Sequence, residues 1–246
     1  MRKKLQVPVL TFHRYLPATH GLFLEEIQKI QTEAVYVFPL FPQFSYATTG
    51  SIARWFGKHL SVETVSKMRW IQSYPTHPAF VAAFQKCIRD FLREKELLEE
   101  KTALLFSAHG LPKSFISGGD VYQTECERSF DEISRGFVKA RSLLAYQSQF
   151  GKGKWIQPST LSLSEKVASW IEANEQVVLI PLSFTSDHIE TLYEMEELYL
   201  PVIRNRGWNA YRCPALNRNP DWINAIISII QQSHLVSNSV LVRPKK

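Results

Sequence analysis

Short apolar runs rich in β-branched and aromatic residues alternate with amphipathic helical stretches along almost the whole chain. This alternation restricts the fold more than any other feature. A strand, a helix and a further strand in succession favour parallel pairing, because the helix carries the chain back to the end where the first strand began. Strands are expected at Val7–Thr11, Ala34–Pro39, Met68–Ser73, Thr102–Phe106, Leu144–Ser148, Gln176–Phe184 and Trp208–Cys213. Helices are expected at Gly21–Gln31, with Leu22, Ile27 and Ile30 inward, from Thr49 to Leu60, and from Pro78 to Glu100. They are further expected over most of Gln123–Tyr146, and at Ser162–Ala173, Ile189–Arg204 and Asn219–Gln232. Asn219 is placed to cap the last of these, with Pro220 in its first turn. The pattern predicts an α/β protein with doubly wound parallel sheets in two lobes, their seam near Phe84.

The 246 residues suffice for such an arrangement. No apolar run is long enough to span a bilayer, and the start, Met1-Arg-Lys-Lys, is followed by nothing resembling a signal-peptide core. Cys87, Cys126 and Cys213 are too far apart to suggest a metal spacing or a disulfide framework, which fits a reducing compartment. A cytoplasmic location is expected. The net charge of +6 is scattered, with small clusters only at Lys152-Gly-Lys154 and Arg243-Pro-Lys-Lys246. No basic groove is discernible, so nucleic acid is not expected as a partner. Weak peripheral membrane contact stays open, and oligomeric state is not legible.

In parallel α/β sheets, ligands bind beyond the carboxyl ends of the strands. Three such ends carry unusual chemistry. Phe38–Ser51 runs from an apolar strand into aromatics and then into hydroxyl residues that open a helix, either an ordinary capped turn or the wall of a flat apolar pocket. Ala103–Pro112 delivers Ser107, Ala108 and His109 into a Gly/Pro loop. Val177–Glu197 ends a strand in Ser, Thr, Asp and His, and opens a helix bearing Glu190, Glu194 and Glu197. At α-helical spacing these glutamates share one face. The ordinary reading is a solvated acidic face, but a carboxylate row leaving a strand end also suits passage of cations or protons. Imidazole and carboxylate together suit iron(II), manganese or zinc, and their origin in distant segments suits a transient metal site.

At these motifs the sequence resembles the ferrochelatases. The segments are Phe106–Pro112 followed by Gly119–Tyr122, and Ser183–Glu194. Phe41–Ser51, and Tyr146–Gly151 with Trp155, follow the family's order. The resemblance runs from about Val7 to Ser233. It implies a chelatase-like fold of two Rossmann-like lobes around a porphyrin cleft. The corresponding division is 1–84 for the first lobe, 85–212 for the second, and 213–246 for a C-terminal helix packing back on the first. It assigns the catalytic and metal-contacting roles to His109 and Glu190. Asp187, His188, Glu194, Glu197 and Ser107 become supporting or relay groups, and Phe41, Gln43, Ser45, Tyr46, Thr48 and Trp155 become pocket residues. The family usually opens with a further strand–helix segment containing an Asn-Leu-Gly-Gly-Pro-like loop. This chain starts after it, so the N-terminal lobe is expected to be incomplete.

Some ferrochelatases carry an iron–sulfur cluster, but Tyr46 stands at one cysteine position and the tail has no cysteine, so no cluster and no other cofactor is expected. The implied activity is insertion of Fe(2+), a substrate, into protoporphyrin IX or coproporphyrin III. His109 would accept pyrrole protons, and Glu190 would guide the metal or take the second proton. Two alternatives are a catalytically impaired porphyrin- or haem-binding remnant and a cobalt chelatase of the same fold.

Overall fold

A computed structural model describes residues 5–151, 153–172 and 176–243. The terminal residues of both basic ends, Lys152 and Ala173, on which some sequence expectations rest, lie outside the described residues. The chain runs through α1 (His20–Gln28), β1 (Val35–Val37), α2 (Thr49–His59), α3 (Val62–Ser66), β2 (Met68–Ile71) and α4 (Pro78–Glu94). It continues through β3 (Thr102–His109), α5 (Lys113–Ser117), α6 (Tyr122–Ser134), β4 (Arg141–Gln147), α7 (Thr160–Glu165) and β5 (Gln176–Pro181). A π-helix, Glu190–Tyr199, leads into α8 (Leu200–Arg204), followed by β6 (Ala210–Arg212), α9 (Pro220–Gln232) and β7 (Leu235–Val236). None of the described helices is long and apolar enough to cross a membrane.

Two sheets result. One is wholly parallel in the order β4-β3-β5-β6. The other is β1-β2-β7, where β1 and β2 are parallel but β7 runs antiparallel to β2, so the expectation of purely parallel sheets needs this correction. β7 is the returning end of the chain and enters its sheet from the opposite direction. Alternate residues of β3 and β5 face two cores. Leu104, Phe106, Val178 and Ile180 enter a large cluster containing α4 and α9 residues, while Ala103, Leu105, Val177 and Leu179 enter a second cluster. Residue 84 lies within α4, which is continuous there and whose buried side chains share a core with residues of both sheets.

Several boundaries differ from the sequence expectation. Residues 7–11 form no regular strand. β1 is shorter than Ala34–Pro39 and only partly buried, with Tyr36 56% exposed. In α1, Phe23 and Ile27 point inward and Leu22 does not. α4 ends at Glu94, not near Glu100. Glu96 N–H reaches the Arg93 carbonyl at 3.1 Å and Leu97 N–H the Leu92 carbonyl at 2.8 Å, with Glu96 at φ +54°. This is a Schellman termination using a residue other than glycine. α6 stops at Ser134 and is followed by a turn at Gly136, which frees 141–147 to form a full strand. The helix expected from Ser162 starts at Thr160 and is capped by the Ser159 hydroxyl.

Candidate functional site

The parallel sheet creates a site by its strand order. From β3 the chain crosses to β4 on one side; from β5 it crosses to β6 on the other. The connections diverge, leaving a crevice between the carboxyl ends of β3 and β5. His109 is the last residue of β3, and the loop leading to Glu190 leaves the end of β5. Two segments distant in sequence meet there.

His109 is fixed through both backbone and ring. Its N–H donates to the Ser183 hydroxyl at 2.9 Å. Its Nδ1 lies 2.7 Å from the Gly110 carbonyl, which can only accept, so Nδ1 carries the proton. In the neutral ring this leaves the Nε2 lone pair facing Glu190, whose Oε2 is 3.6 Å away. Gly110 is required by space: a Cβ there would lie 2.6 Å from the Gln147 carbonyl, which its own N–H contacts at 2.7 Å.

The two groups tune each other. Burial disfavours the imidazolium, but the Glu190 carboxylate close by, with the Gly110 carbonyl, outweighs it and raises the His109 pKa. The His109 ring beside it, when protonated, holds the Glu190 pKa below the ordinary carboxylate value, against the opposing effect of burial. The pair can share one proton or present a nitrogen and an oxygen to an incoming cation.

Other expected residues occupy distinct places. Ser107 lies under the site, buried, with its hydroxyl 2.8 Å from Gln147 Oε1 and 2.7 Å from Thr160 Oγ1. His188 accepts the Glu190 N–H on Nδ1, so its ring closes the start of the π-helix. Asp187 accepts from Arg212 at 2.8 Å, Thr191 at 3.0 Å and Asn217 at 2.7 Å. It is an anchored ion pair and not a free relay. Glu194 is buried and receives Ser148 and Tyr199 hydroxyls.

Glu197 does not join the row. The π-helix winds wider than an α-helix, so seven residues beyond Glu190 is roughly one and a half turns, on the opposite side. Glu197 is exposed, and its neighbour Glu196 pairs with Arg212 at 2.6 Å. Glu194 and Tyr199, five residues apart, meet at 2.8 Å as the i→i+5 winding requires.

The aromatic–hydroxyl segment divides. Gln43 and Ser45 are buried against α6 and its approach: Gln43 donates to Ser129 at 2.8 Å and Ser45 to Asp120 at 2.9 Å. Both join elements through these contacts. Glu125 completes the joint by accepting Phe44 N–H and the Ser73 hydroxyl. Phe41, Tyr46 and Thr48 stay partly accessible, and the Arg243 guanidinium lies over the Tyr46 ring. Trp155 flanks the histidine loop, bridging Pro112 and standing near Gly110. Sequence reasoning overlooked Gln147, Ser148, Tyr199 and Arg212. The signal available for the first two was their position at the end of the strand beside that of His109.

Cavities of about 400 Å³ beside Arg204–Tyr211 and about 380 Å³ between α1 and α3 lie by the amino ends of β6, and of β1 and β2. That is the wrong side for a ligand site in a parallel sheet, and neither contains the His109–Glu190 pair. No group of three or more His, Cys, Asp or Glu among the described residues is arranged to hold a metal ion.

The site therefore belongs to an α/β protein with an imidazole–carboxylate pair at a topological switch point. Solved structures share this architecture: CbiX, described as the terminal enzyme for biosynthesis of siroheme in denitrifying bacteria, superposes with TM-score 0.59 at 13% identity, over 86% of this chain and 79% of that one. SirB from Bacillus subtilis gives TM-score 0.58 at 13% identity, over 96% and 86%. At that identity the likeness concerns the fold, which is chelatase-like as the sequence led one to expect. The Ferrochelatase family model matches residues 1–234. The ferrochelatase of Chlamydia pneumoniae is 40% identical over 98% of this chain and 72% of its own length. That of Chlamydia abortus is 40% identical over 97% and 73%. The chain belongs to the ferrochelatase family.

Proposed function

We propose that this chain is a lyase that inserts iron(II) into a porphyrin, with His109 and Glu190 as the groups that meet the reacting centre. The carrying observation is the His109 Nε2 lone pair held facing the Glu190 carboxylate at 3.6 Å, with the other nitrogen fixed by Gly110. Metallation removes two pyrrole protons and passes a cation into the ring. His109 accepts the first proton on Nε2 in its neutral form, Glu190 stabilises the imidazolium that results, and the second proton leaves on the Glu190 carboxylate once the cation has passed from it into the ring. Glu190 also offers an oxygen to iron(II) before the porphyrin nitrogens take it. Two protein donors are few for a resident metal and suited to one in transit. Trp155 and the accessible aromatics Phe41 and Tyr46 are proposed to border the macrocycle.

The porphyrin is proposed to be protoporphyrin IX or coproporphyrin III. The reaction as written needs no cofactor. The three cysteines are buried and free of disulfides, and the absence of a cluster and a cytoplasmic setting are parts of the proposal. The test is an anaerobic insertion assay with each porphyrin. His109→Ala is expected to lose insertion by at least about 100-fold, with porphyrin binding by fluorescence quenching retained. An active His109→Ala protein would remove this histidine from the mechanism.

A further inference from the structure

Behind the His109–Glu190 pair, one dipeptide contacts every element that carries the site. Gln147 is the last residue of β4 and pairs in register with His109. Its carbonyl accepts the Gly110 N–H at 2.7 Å. Its side-chain oxygen accepts from Ser107 at 2.8 Å, while Nε2 donates to the Glu190 carbonyl at 2.9 Å and approaches Glu194 Oε2 at 3.4 Å. The amide is 1% exposed and uses both its donor and acceptor ends. It fixes the end of the histidine strand against the start of the π-helix.

Ser148 follows at φ +58°, a conformation that side chains other than Gly, Asn or Asp seldom adopt. It is buried, and its hydroxyl lies 2.8 and 2.9 Å from the two oxygens of Glu194. Its N–H also reaches the Tyr199 hydroxyl at 3.4 Å, which in turn donates to Glu194 at 2.8 Å. Neutral donors from Ser148, Tyr199 and Gln147 thus gather around one buried carboxylate. Strained backbone at a buried polar contact is stable only where its surroundings enforce it, and it marks functional sites more often than ordinary turns.

We propose that Gln147 and Ser148 are positioning residues for the metal-insertion site. Gln147 sets the spacing between His109 and Glu190. The left-handed turn at Ser148 aims a hydroxyl that, with Tyr199, pins the Glu194 carboxyl group behind Glu190. The incoming cation then meets a carboxylate pair with a set geometry and not two mobile side chains. This rests on the metal-insertion reading above.

The test compares Ser148→Gly, Ser148→Ala and Ser148→Asn with the parent chain. Glycine relieves the backbone and removes the hydroxyl; alanine removes the hydroxyl and keeps the strain; asparagine tolerates the turn and restores a donor. Both Ser148→Gly and Ser148→Ala are expected to lower kcat/KM for the metal by about tenfold to 100-fold, with the porphyrin KM unchanged. Ser148→Asn is expected to recover part of that loss. Gln147→Glu, which replaces the donor by a second carboxylate, is expected to act in the same direction. Cobalt(II) titration without porphyrin supplies a readout free of turnover, and Ser148→Gly should bind it more weakly than the parent. A purely structural turn predicts instead that glycine is harmless and alanine lowers only Tm. An active parent whose Ser148→Gly variant matches it in metal kcat/KM and cobalt affinity overturns the positioning role alone. A parent that neither metallates a porphyrin nor binds cobalt(II) overturns the functional reading, and this inference with it.

Discussion

His109 shows how a single residue acquires its role from neighbours. Its exposure alone would leave an ordinary imidazole, and its burial alone would lower its pKa. Glu190 reverses that direction. An NMR titration is therefore expected to show His109 ionising above the reference value of 6.5 in the parent chain, and below the parent in Glu190→Gln, where burial acts with less opposition. His109 accepts a proton only when neutral, so insertion should fall as pH drops through that raised pKa. Glu125 is a second test at this scale. Burial raises its pKa against the Phe44 N–H and Ser73 hydroxyl, which favour the charged form. Between the unfolded and folded pKa values the native state holds more protons than the unfolded chain, so stability declines as pH rises through that window. Glu125→Gln keeps an acceptor for Phe44 and carries no charge. Its Tm relative to the parent is expected to be highest above the folded pKa and to shrink as pH falls toward the ordinary glutamate range. A difference that is constant from pH 4 to 8 would contradict this.

The elements show where local sequence is a sufficient guide and where it is not. The capped start of α9 at Asn219 and Pro220 was legible, and Asn219 indeed accepts the Asp221 N–H at 2.8 Å. The end of α4 was not, because glycine is the usual mark of a Schellman stop and Glu96 takes its place. Glu96→Gly should stabilise the protein by about 0.5–1 kcal/mol, measured by urea unfolding, since left-handed backbone strain exceeds the entropy cost of glycine. The π-helix was equally hidden. Glu190, Glu194 and Glu197 read as one row at α-helical spacing; the wider winding keeps the first two near the site and turns the third to solvent.

Across the whole molecule the two sheets share one core. Trp222 of α9, Phe80 and Phe84 of α4, Ile71 of β2, and Leu104 of β3 belong to the same buried cluster. Trp222 is 2% exposed and packs at tilted or edge-on angles against Phe38, Tyr74 and Phe80. Trp222→Ala is expected to cost about 3–5 kcal/mol. Circular dichroism and tryptophan fluorescence are expected to report one coincident unfolding transition in the parent chain. Separate transitions for the two sheets would contradict a shared core. The returning strand β7 pairs with β2, so the end of the chain closes the sheet near its beginning.

The residue pattern by itself determined the α/β class and the strands that end in chemistry, while His109 and Glu190 were singled out by the resemblance to the ferrochelatases and carry their roles only in the proposal. These follow from local periodicity and from motifs that stay legible without coordinates. Tertiary structure decided the rest. Strand order created the crevice between β3 and β5, since no local signal says on which side a crossover lands. Long-range hydrogen bonds tied Gln43 and Ser45 to α6 and its approach, and brought Gln147, Ser148 and Tyr199 under the glutamates. Partners of this kind are separated by tens of residues, and their distance is set by packing, which periodicity does not encode.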